Sequence, residues 1–159
     1  MSFEEDLKRY LKKEKIRKTL GDNVDIRYLR NLIHSLQWIS VGYSSALYFA
    51  GKKLGKDIIS KQIKGSDIKS VLKEIQDLFK DQGIGKLEIV ELGDKKIVLQ
   101  LKECSTCYHM TEIGKPICYF ESGLISGIIE GAATKKNQVS ETMCGGLGDE
   151  FDEFQIKMS

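Results

Sequence analysis

Four cysteines and two acidic residues in the last third of the chain are the side chains best suited to chemistry. They are Cys104, Cys107, Cys118, Glu141, Cys144 and Asp152. Thiolates and carboxylates are among the groups that bind zinc in proteins. Because the N-terminus lacks the continuous apolar segment of a secretory signal, we expect a cytoplasmic protein. Cysteines in a reducing compartment favour a metal site over disulfides.

The Cys104–Cys107 pair has the spacing of a thioredoxin-like redox motif, but its expected context does not fit one. Such a motif needs its first cysteine at a helix N-terminus, where the helix dipole lowers the pKa of the thiol. Here Cys104 follows a predicted strand, and the next helix is expected only about twelve residues later. A redox role is therefore disfavoured.

Three interpretations of the cysteines remain open from the residues alone. One zinc ion could be bound by all four thiolates, although a CxxC followed by two single cysteines is a weak match to the paired motifs of zinc ribbons. A second set, Cys118, Glu141, Cys144 and Asp152, would give a tetrahedral site that attaches a helix to the last β-hairpin. The third interpretation is that the cysteines are small buried apolar residues.

The hydrophobic periodicity predicts helices followed by strands that come in pairs. Helices are expected at about 3–20, 26–36, 38–54, 68–82 and 116–133, and hairpins at about 87–101 and 139–156. Asp25 is expected to cap the second helix, Gly93-Asp94 to form a type II′ turn, and Pro116 to open the last helix. Paired strands imply an antiparallel sheet with helices packed on it, an α+β fold. We assign 1–37 to an N-terminal helical extension and 38–159 to one ligand-binding domain.

Small residues recur every four positions on two of the predicted helices. They are Gly123, Gly127 and Gly131 after Pro116, and Gly42, Ala46 and Ala50 on the third helix. Each glycine costs about 1 kcal/mol relative to alanine in a helix interior, so the stripe needs a physical reason. Close helix packing, within one chain or between two copies, is the favoured explanation. A groove for an apolar ligand is the alternative.

Composition and motifs argue against several classes of function. A net charge of +2 over 159 residues gives no basic excess of the kind that nucleic-acid binding requires. No apolar stretch is long enough to span a membrane. Gly145–Gly148 lies in a predicted hairpin turn, whereas a dinucleotide site needs a strand-to-helix junction. His109 beside Cys107 is the only candidate nucleophile–base pair, and a loop histidine explains it better. We therefore expect a binding domain rather than an enzyme.

The run GKPICYFESGLISGIIEG, followed by VSETMCGGLGDEFDEFQI, resembles the vinyl-4-reductase domain family. The resemblance covers about 38–157 and is strongest from Glu103 onward. It implies an α+β fold that is usually homodimeric and is shared with TRAPP vesicle-tethering subunits and with sensor domains of aromatic-responsive activators. Members of the family occur alone in archaea and near enzymes of tetrapyrrole synthesis, and they are regarded as binders of small, hydrocarbon-type molecules.

The resemblance also implies a zinc site. In the zinc-bearing sensor members the ligands match Cys118, Glu141 and Cys144, and the fourth ligand is a cysteine where Asp152 stands in this chain. Cys104 or Cys107 could supply the missing sulfur instead. The histidine and tryptophan that hold a phenol in the sensors have no counterpart: Trp38, His34 and His109 fall elsewhere. No phenolic ligand is therefore predicted.

The leading prediction is a noncatalytic, homodimeric domain that holds zinc and binds an apolar small molecule. The predicted ligand-binding side chains come from two helices and are Tyr43, Leu47, Tyr48, Phe120, Leu124 and Ile128. One alternative is an enzyme, or an auxiliary subunit, for reduction of a tetrapyrrole vinyl group. The other alternative is a dimeric scaffold without a ligand. Any signalling or enzymatic role is expected to need a separate protein partner.

Overall fold

The computed structural model describes Ser2, Glu5, Leu7, 16–39 and 42–159. Within these residues the chain folds into α-helices and an antiparallel sheet, which confirms the predicted α+β class. The helices are α1 (Ile26–Leu36), α2 (Tyr43–Asp57), α3 (Ile68–Asp81) and α4 (Tyr119–Ala132). The strands are β1 (Lys86–Leu92), β2 (Lys96–Lys102), β3 (Asn137–Met143) and β4 (Asp152–Met158).

The sheet consists of the two predicted hairpins joined side by side, in the order β1-β2-β4-β3. All neighbouring strands are antiparallel, and Leu99 of β2 is paired with Ile89 on one side and Phe154 on the other. Alternate side chains of each strand point to the same face, so these residues share the face that the helices cover. The opposite face carries mostly charged and polar side chains.

The helices cover one face of the sheet in two layers. Helix α3 packs beside β1 and α4 packs beside β3, while α2 lies against the outer side of α4. Helix α3 is amphipathic and buries Val71, Leu72, Ile75 and Phe79. Helix α4 is buried along nearly its whole length because it lies between the sheet and α2. Along the chain, the Gly-striped helix α4 comes between the two hairpins, as predicted.

Close packing explains the glycine stripe, but its partners differ from those predicted. Gly51 and Gly55 are the buried glycines of α2, and they face the backbone of α4. A Cβ on Gly51 would lie 2.9 Å from the amide nitrogen of Leu124 and even closer to the carbonyl oxygen of Phe120. The backbones of the two helices thus touch, which only glycine permits. Ala46 and Ala50, which we expected in this contact, are exposed.

Several predicted boundaries are wrong by a few residues. Helix α2 begins at Tyr43 instead of Trp38, and α4 begins at Tyr119, so Pro116 precedes the helix rather than opening it. The type II′ turn is also wrong, because Gly93 pairs with Lys96 and lacks the positive φ that this turn requires. The predicted cap is confirmed, since the Asp25 carboxylate accepts a hydrogen bond from the Arg27 amide.

Most of the predicted N-terminal helix lies outside the described residues. Ser2 and Glu5 exchange the reciprocal hydrogen bonds of a capping box, as their spacing suggests. The predicted end of this helix at Leu20 is wrong, because 16–20 are not helical. Among the described residues, no helix combines the length and the apolar character needed to cross a membrane.

Candidate metal centre and ligand cavity

Six metal-ligating side chains converge between the N-terminus of α4 and one end of the sheet. Cys104 and Cys107 lie in the turn that follows β2, and Cys118 is the N-cap residue of α4. Glu141 lies near the end of β3, Cys144 follows that strand, and Asp152 opens β4. All four cysteines are free and buried. The structure thus brings together the predicted set and both of its alternative ligands.

Both carboxylates reach the centre because they occupy the inward face of the sheet. Asp152 is paired with Leu101 and Glu141 is paired with Phe154, in rows otherwise occupied by core side chains. Asp152 is completely buried. A buried carboxylate is costly unless it is paired or binds a metal, so its place on this face needs a cation or a network of donors.

The sulfur and oxygen atoms lie at distances that suit a shared metal. The Cys118 sulfur is 3.6 Å from the Cys104 sulfur, 3.4 Å from the Cys107 sulfur and 3.5 Å from Asp152 Oδ2. A tetrahedral zinc ion with metal–sulfur distances of about 2.3 Å has sulfur–sulfur edges of about 3.8 Å. The donor atoms therefore need only small shifts to surround an ion.

Two overlapping groups of donors each have the composition of a tetrahedral site. One is Cys104, Cys107, Cys118 and Asp152, and the other is Cys118, Glu141, Cys144 and Asp152. Within each group all donor atoms lie within 4.8 Å of one another. The second group contains the four ligands predicted from the sequence. The buried Glu141 Oε1 has no hydrogen-bond partner among the described residues, so it is available to bind an ion.

Electrostatic crowding perturbs the acid groups of the centre. Burial, together with the neighbouring Cys144 charge, raises the pKa of Glu141 to about 11. Burial and the Cys104 charge raise the pKa of Asp152 to about 9. Burial also raises the pKa of the Cys118 thiol, whereas hydrogen bonds from Cys107 and Cys118 lower the pKa of Cys104. Without a cation, the centre must therefore keep protons that a metal would displace.

An apolar cavity of about 260 Å³ lies next to this centre. Its walls include Leu29 and Ile33 of α1, Leu47 of α2, and Phe120 and Leu124 of α4. Cavities of this kind, between helices and with few polar groups, are the usual places for small ligands.

Three polar residues, Ser105, Thr106 and Glu121, also line the cavity. Glu121 is only 6% exposed, and its Oε1 accepts a hydrogen bond from the Thr106 hydroxyl. Burial, followed by the Cys104 charge, raises the pKa of Glu121 to about 8. Thr106 lies between Cys104 and Cys107, so the same turn forms a wall of the cavity and supplies two donors of the metal centre.

The predicted ligand-binding residues are divided among three places. Leu47, Phe120 and Leu124 line the cavity beside the metal centre. Tyr43 lines a separate pocket of about 440 Å³, where its hydroxyl is bonded to Gln37. The Tyr48 ring stacks edgewise on Phe49, and Ile128 is fully buried in the core.

Sequence reasoning missed three residues of this region. In the sequence Glu121 is an ordinary acidic residue in the first turn of a helix that also contains Glu130, so no local signal sets it apart. Thr106 gives no signal beyond its position within the CxxC. Arg30 of α1 donates hydrogen bonds to the carbonyl oxygens of Ser105 and Cys104, a contact between residues 75 and 74 positions apart. The exposed His109 ring packs on Tyr108.

Comparisons with known proteins agree with this geometry. The family model of the vinyl-4-reductase domain matches residues 97–158, a segment that contains all six donors. The uncharacterized protein MJ0150 of Methanocaldococcus jannaschii is 30% identical over 141 residues, which are 89% of this chain and 80% of that protein.

Solved structures share the fold at low sequence identity. A vinyl-4-reductase family protein from M. jannaschii has a TM-score of 0.62 at 21% identity, over 88% of this chain and 85% of the other. The sensory domain of the transcription activator PoxR, solved with phenol, has a TM-score of 0.67 at 12% identity, over 99% and 91%. Trafficking protein particle complex subunit 3 from Naegleria fowleri, covalently bound to palmitic acid, has a TM-score of 0.63 at 16% identity, over 84% and 95%. These structures share the fold, while the family model and the MJ0150 relative confirm the resemblance deduced from the motifs: the chain belongs to the vinyl-4-reductase domain family.

Proposed function

We propose that this chain is a noncatalytic binding domain for an apolar small molecule. The observation that carries the proposal is the cavity between α1, α2 and α4, whose walls are apolar and whose polar groups are few. Two proteins of the same fold have been solved with phenol and with palmitic acid, which supports a ligand-binding role.

The cavity favours a compact ligand with an apolar body and one hydrogen-bond donor. An engineered apolar cavity of about 150 Å³ holds benzene, so a cavity of about 260 Å³ takes a somewhat larger molecule. Glu121 is the acidic side chain in the cavity wall, and its Oε1 already accepts a hydrogen bond from the Thr106 hydroxyl. A hydroxyl or an amine on the ligand would bind the other oxygen and offset the cost of burying it.

We propose that zinc is held beside the cavity by Cys118, Glu141, Cys144 and Asp152, with Cys104 and Cys107 within reach. The donor set of soft thiolates and carboxylates suits zinc. When bound, the ion would supply a structural crosslink, because its ligands come from the N-terminus of α4 and from both strands of the last hairpin.

Ligand and metal would be coupled through the Cys104–Cys107 turn. Thr106 of this turn contacts Glu121 in the cavity wall, and the carbonyl oxygens of Cys104 and Ser105 bind Arg30 of α1. A ligand that displaces α1 or Thr106 would therefore move Cys104 and Cys107, which lie within reach of the ion. This mechanical connection is what a sensory role would use, with a separate protein partner reading the change.

We also infer that the chain forms a homodimer. Large apolar side chains are exposed on α1 and just after it, including Leu32 at 53%, Trp38 at 79% and Ile39 at 75%. Exposed apolar surfaces of this kind mark protein contacts. Light scattering of the purified protein should give twice the chain mass, and Leu32→Glu should give the mass of one chain. A monomeric wild type would contradict the inference.

The binding proposal is tested by thermal shift with three ligands of one shape. Cyclohexane, cyclohexanol and cyclohexylamine differ in the hydrogen-bond donor, and a ligand that binds the native state must raise the Tm. We expect the alcohol or the amine to raise the Tm more than the hydrocarbon does, and Glu121→Gln to reduce that difference. Leu47→Trp, which fills the cavity, should abolish all shifts, whereas Val90→Trp at an exposed position of β1 should not. The absence of a shift from every ligand would contradict the proposal.

A further inference from the structure

The metal centre offers more donors than a single zinc ion can use. Zinc in structural sites takes four ligands, whereas six donor side chains meet here, five of them buried and that of Glu141 half-buried. An ion bound by Cys118, Glu141, Cys144 and Asp152 would leave the Cys104 and Cys107 thiols buried beside it. An ion bound by the other group would leave the buried Glu141 Oε1 without a partner.

The two groups of four donor residues share two members, so each group could bind an ion of its own. Cys118 and Asp152 belong to both groups, and each of the other four residues belongs to one. The pair Cys104 and Cys107 approaches from the turn after β2, and the pair Glu141 and Cys144 approaches from the end of β3. The shared residues therefore stand between two pairs of terminal donors.

Both shared side chains have the chemistry of a bridging ligand. A thiolate sulfur has lone pairs for two metals, and a carboxylate can bind one metal with each oxygen. The two oxygens of Asp152 already face different neighbours: Oδ1 lies 2.8 Å from the Cys107 sulfur and Oδ2 lies 3.5 Å from the Cys118 sulfur. The backbone amide of Gly145 donates to Oδ1 and fixes the carboxylate in this orientation.

We propose that the centre holds two zinc ions bridged by Cys118 and Asp152. One ion has Cys104 and Cys107 as its terminal ligands, and the other has Glu141 and Cys144. The proposal rests on the proposed zinc site and adds a second ion to it. It also gives Asp152 a reason to be aspartate, since its two oxygens can reach two metals.

The test is the zinc stoichiometry of the 159-residue chain, measured by native mass spectrometry and elemental analysis. Protein stripped of metal under reducing conditions is titrated with zinc chloride to saturation. We expect two ions per chain in the wild type. The double variant Cys104→Ser/Cys107→Ser and the double variant Glu141→Gln/Cys144→Ser should each keep one ion. The control Glu150→Gln removes an exposed carboxylate of the same hairpin and should keep two.

Cadmium-113 reports whether the two ions share a sulfur. The cadmium-loaded wild type should give two NMR signals that are split by coupling through Cys118, and each double variant should give a single unsplit signal. Two signals without mutual coupling would overturn the shared ligation.

The outcomes separate this inference from the zinc proposal on which it rests. Saturation of the wild type at one ion, lost in Glu141→Gln/Cys144→Ser, would overturn the second ion and leave the proposed site intact. A wild type that binds no zinc would overturn both. Because the stoichiometry of the unmodified chain separates one ion from two and from none, that count does not depend on the folding of any variant.

Discussion

The Glu141 carboxylate accepts a hydrogen bond of 3.0 Å from the backbone amide of Cys118, 23 positions earlier in the chain. Cys118 is the N-cap residue of α4, and its own side chain makes no capping hydrogen bond. An acidic group at this helix end is electrostatically favourable, because the first amides of a helix carry partial positive charge. Strand β3 thus supplies a hydrogen-bond acceptor to the N-terminus of α4 before any metal is considered.

This contact predicts opposite orders of stability with and without zinc. In metal-free protein Glu141→Gln keeps an acceptor for the Cys118 amide and removes a carboxyl that is costly to ionise, so it should be at least as stable as the wild type. Glu141→Ala leaves the amide unsatisfied and should be less stable than Glu141→Gln by about 1–3 kcal/mol. With zinc the wild type should become the most stable, since only the carboxylate binds the ion well. Urea unfolding of the three proteins measures both orders, and an unchanged order on adding zinc would contradict a role of Glu141 in metal binding.

A second prediction concerns the contact between α2 and α4. Gly51→Ala places a methyl group against the backbone of Phe120 and Leu124, where the helices would have to move apart. We expect a loss of about 3 kcal/mol, at the upper end of the usual cost of overpacking. The neighbouring Ala50 is exposed, so Ala50→Gly should cost only about 1 kcal/mol through helix propensity. Equal effects in urea unfolding would mean that the helices can separate at little cost.

The glycines show which part of the fold could be predicted from the sequence. Spacing alone identified Gly123, Gly127 and Gly131 as a face made for close approach, because glycines in a helix interior are costly unless another backbone lies against them. It could not identify the partner glycines Gly51 and Gly55, since the rotation of α2 against α4 is set by tertiary packing. The alternation of apolar residues predicted the strands correctly, because one face of the sheet is buried and the other is exposed.

The candidate metal site was predictable to a similar degree. The residue types and the hairpin gave Cys118, Glu141, Cys144 and Asp152 as one of three open interpretations, and the family resemblance then favoured this set. The position of Cys104 and Cys107 depends on how the turn after β2 folds back over α4, and no local pattern encodes that. Glu121 was hidden for the same reason, because its burial is created by α1 and the turn rather than by its own helix.

The buried Glu121 predicts a pH dependence of stability. Its folded-state pKa of about 8 lies above the ordinary value of 4.5, so the folded protein binds a proton that the unfolded chain has lost. The free energy of unfolding should therefore fall as pH rises from about 4.5 to about 8, by up to about 1.4 kcal/mol per pH unit. Glu121→Gln lacks this contribution, so the stability of the wild type relative to the variant should fall across that window when urea unfolding of the two metal-free proteins is compared.

Glu130 provides a control, because its pKa is shifted in the opposite direction to that of Glu121. Hydrogen bonds from Lys56 and Lys52 lower the pKa of Glu130 below its ordinary value of 4.5, so the stability that it contributes is present above that pH and lost below it. Glu130→Gln should therefore alter the pH profile only on the acid side. A profile of Glu121→Gln that runs parallel to that of the wild type from about pH 5 to about pH 8 would show that Glu121 is ionised in the folded state.

Asp152 should decide how tightly the centre binds zinc. Asp152→Asn keeps the size of the side chain but removes its negative charge, and we expect the apparent zinc affinity to fall by at least about tenfold. Asp152→Cys replaces the carboxylate by a soft thiolate and should bind zinc at least as tightly as the wild type, since sulfur is a preferred zinc ligand. Competition against a chromophoric chelator at fixed pH measures all three affinities, with Glu150→Gln as the matched exposed variant. Wild-type affinity in Asp152→Asn would show that Asp152 does not bind the ion. The buried Asp152 side chain would then have to remain a protonated carboxyl to stay in the core.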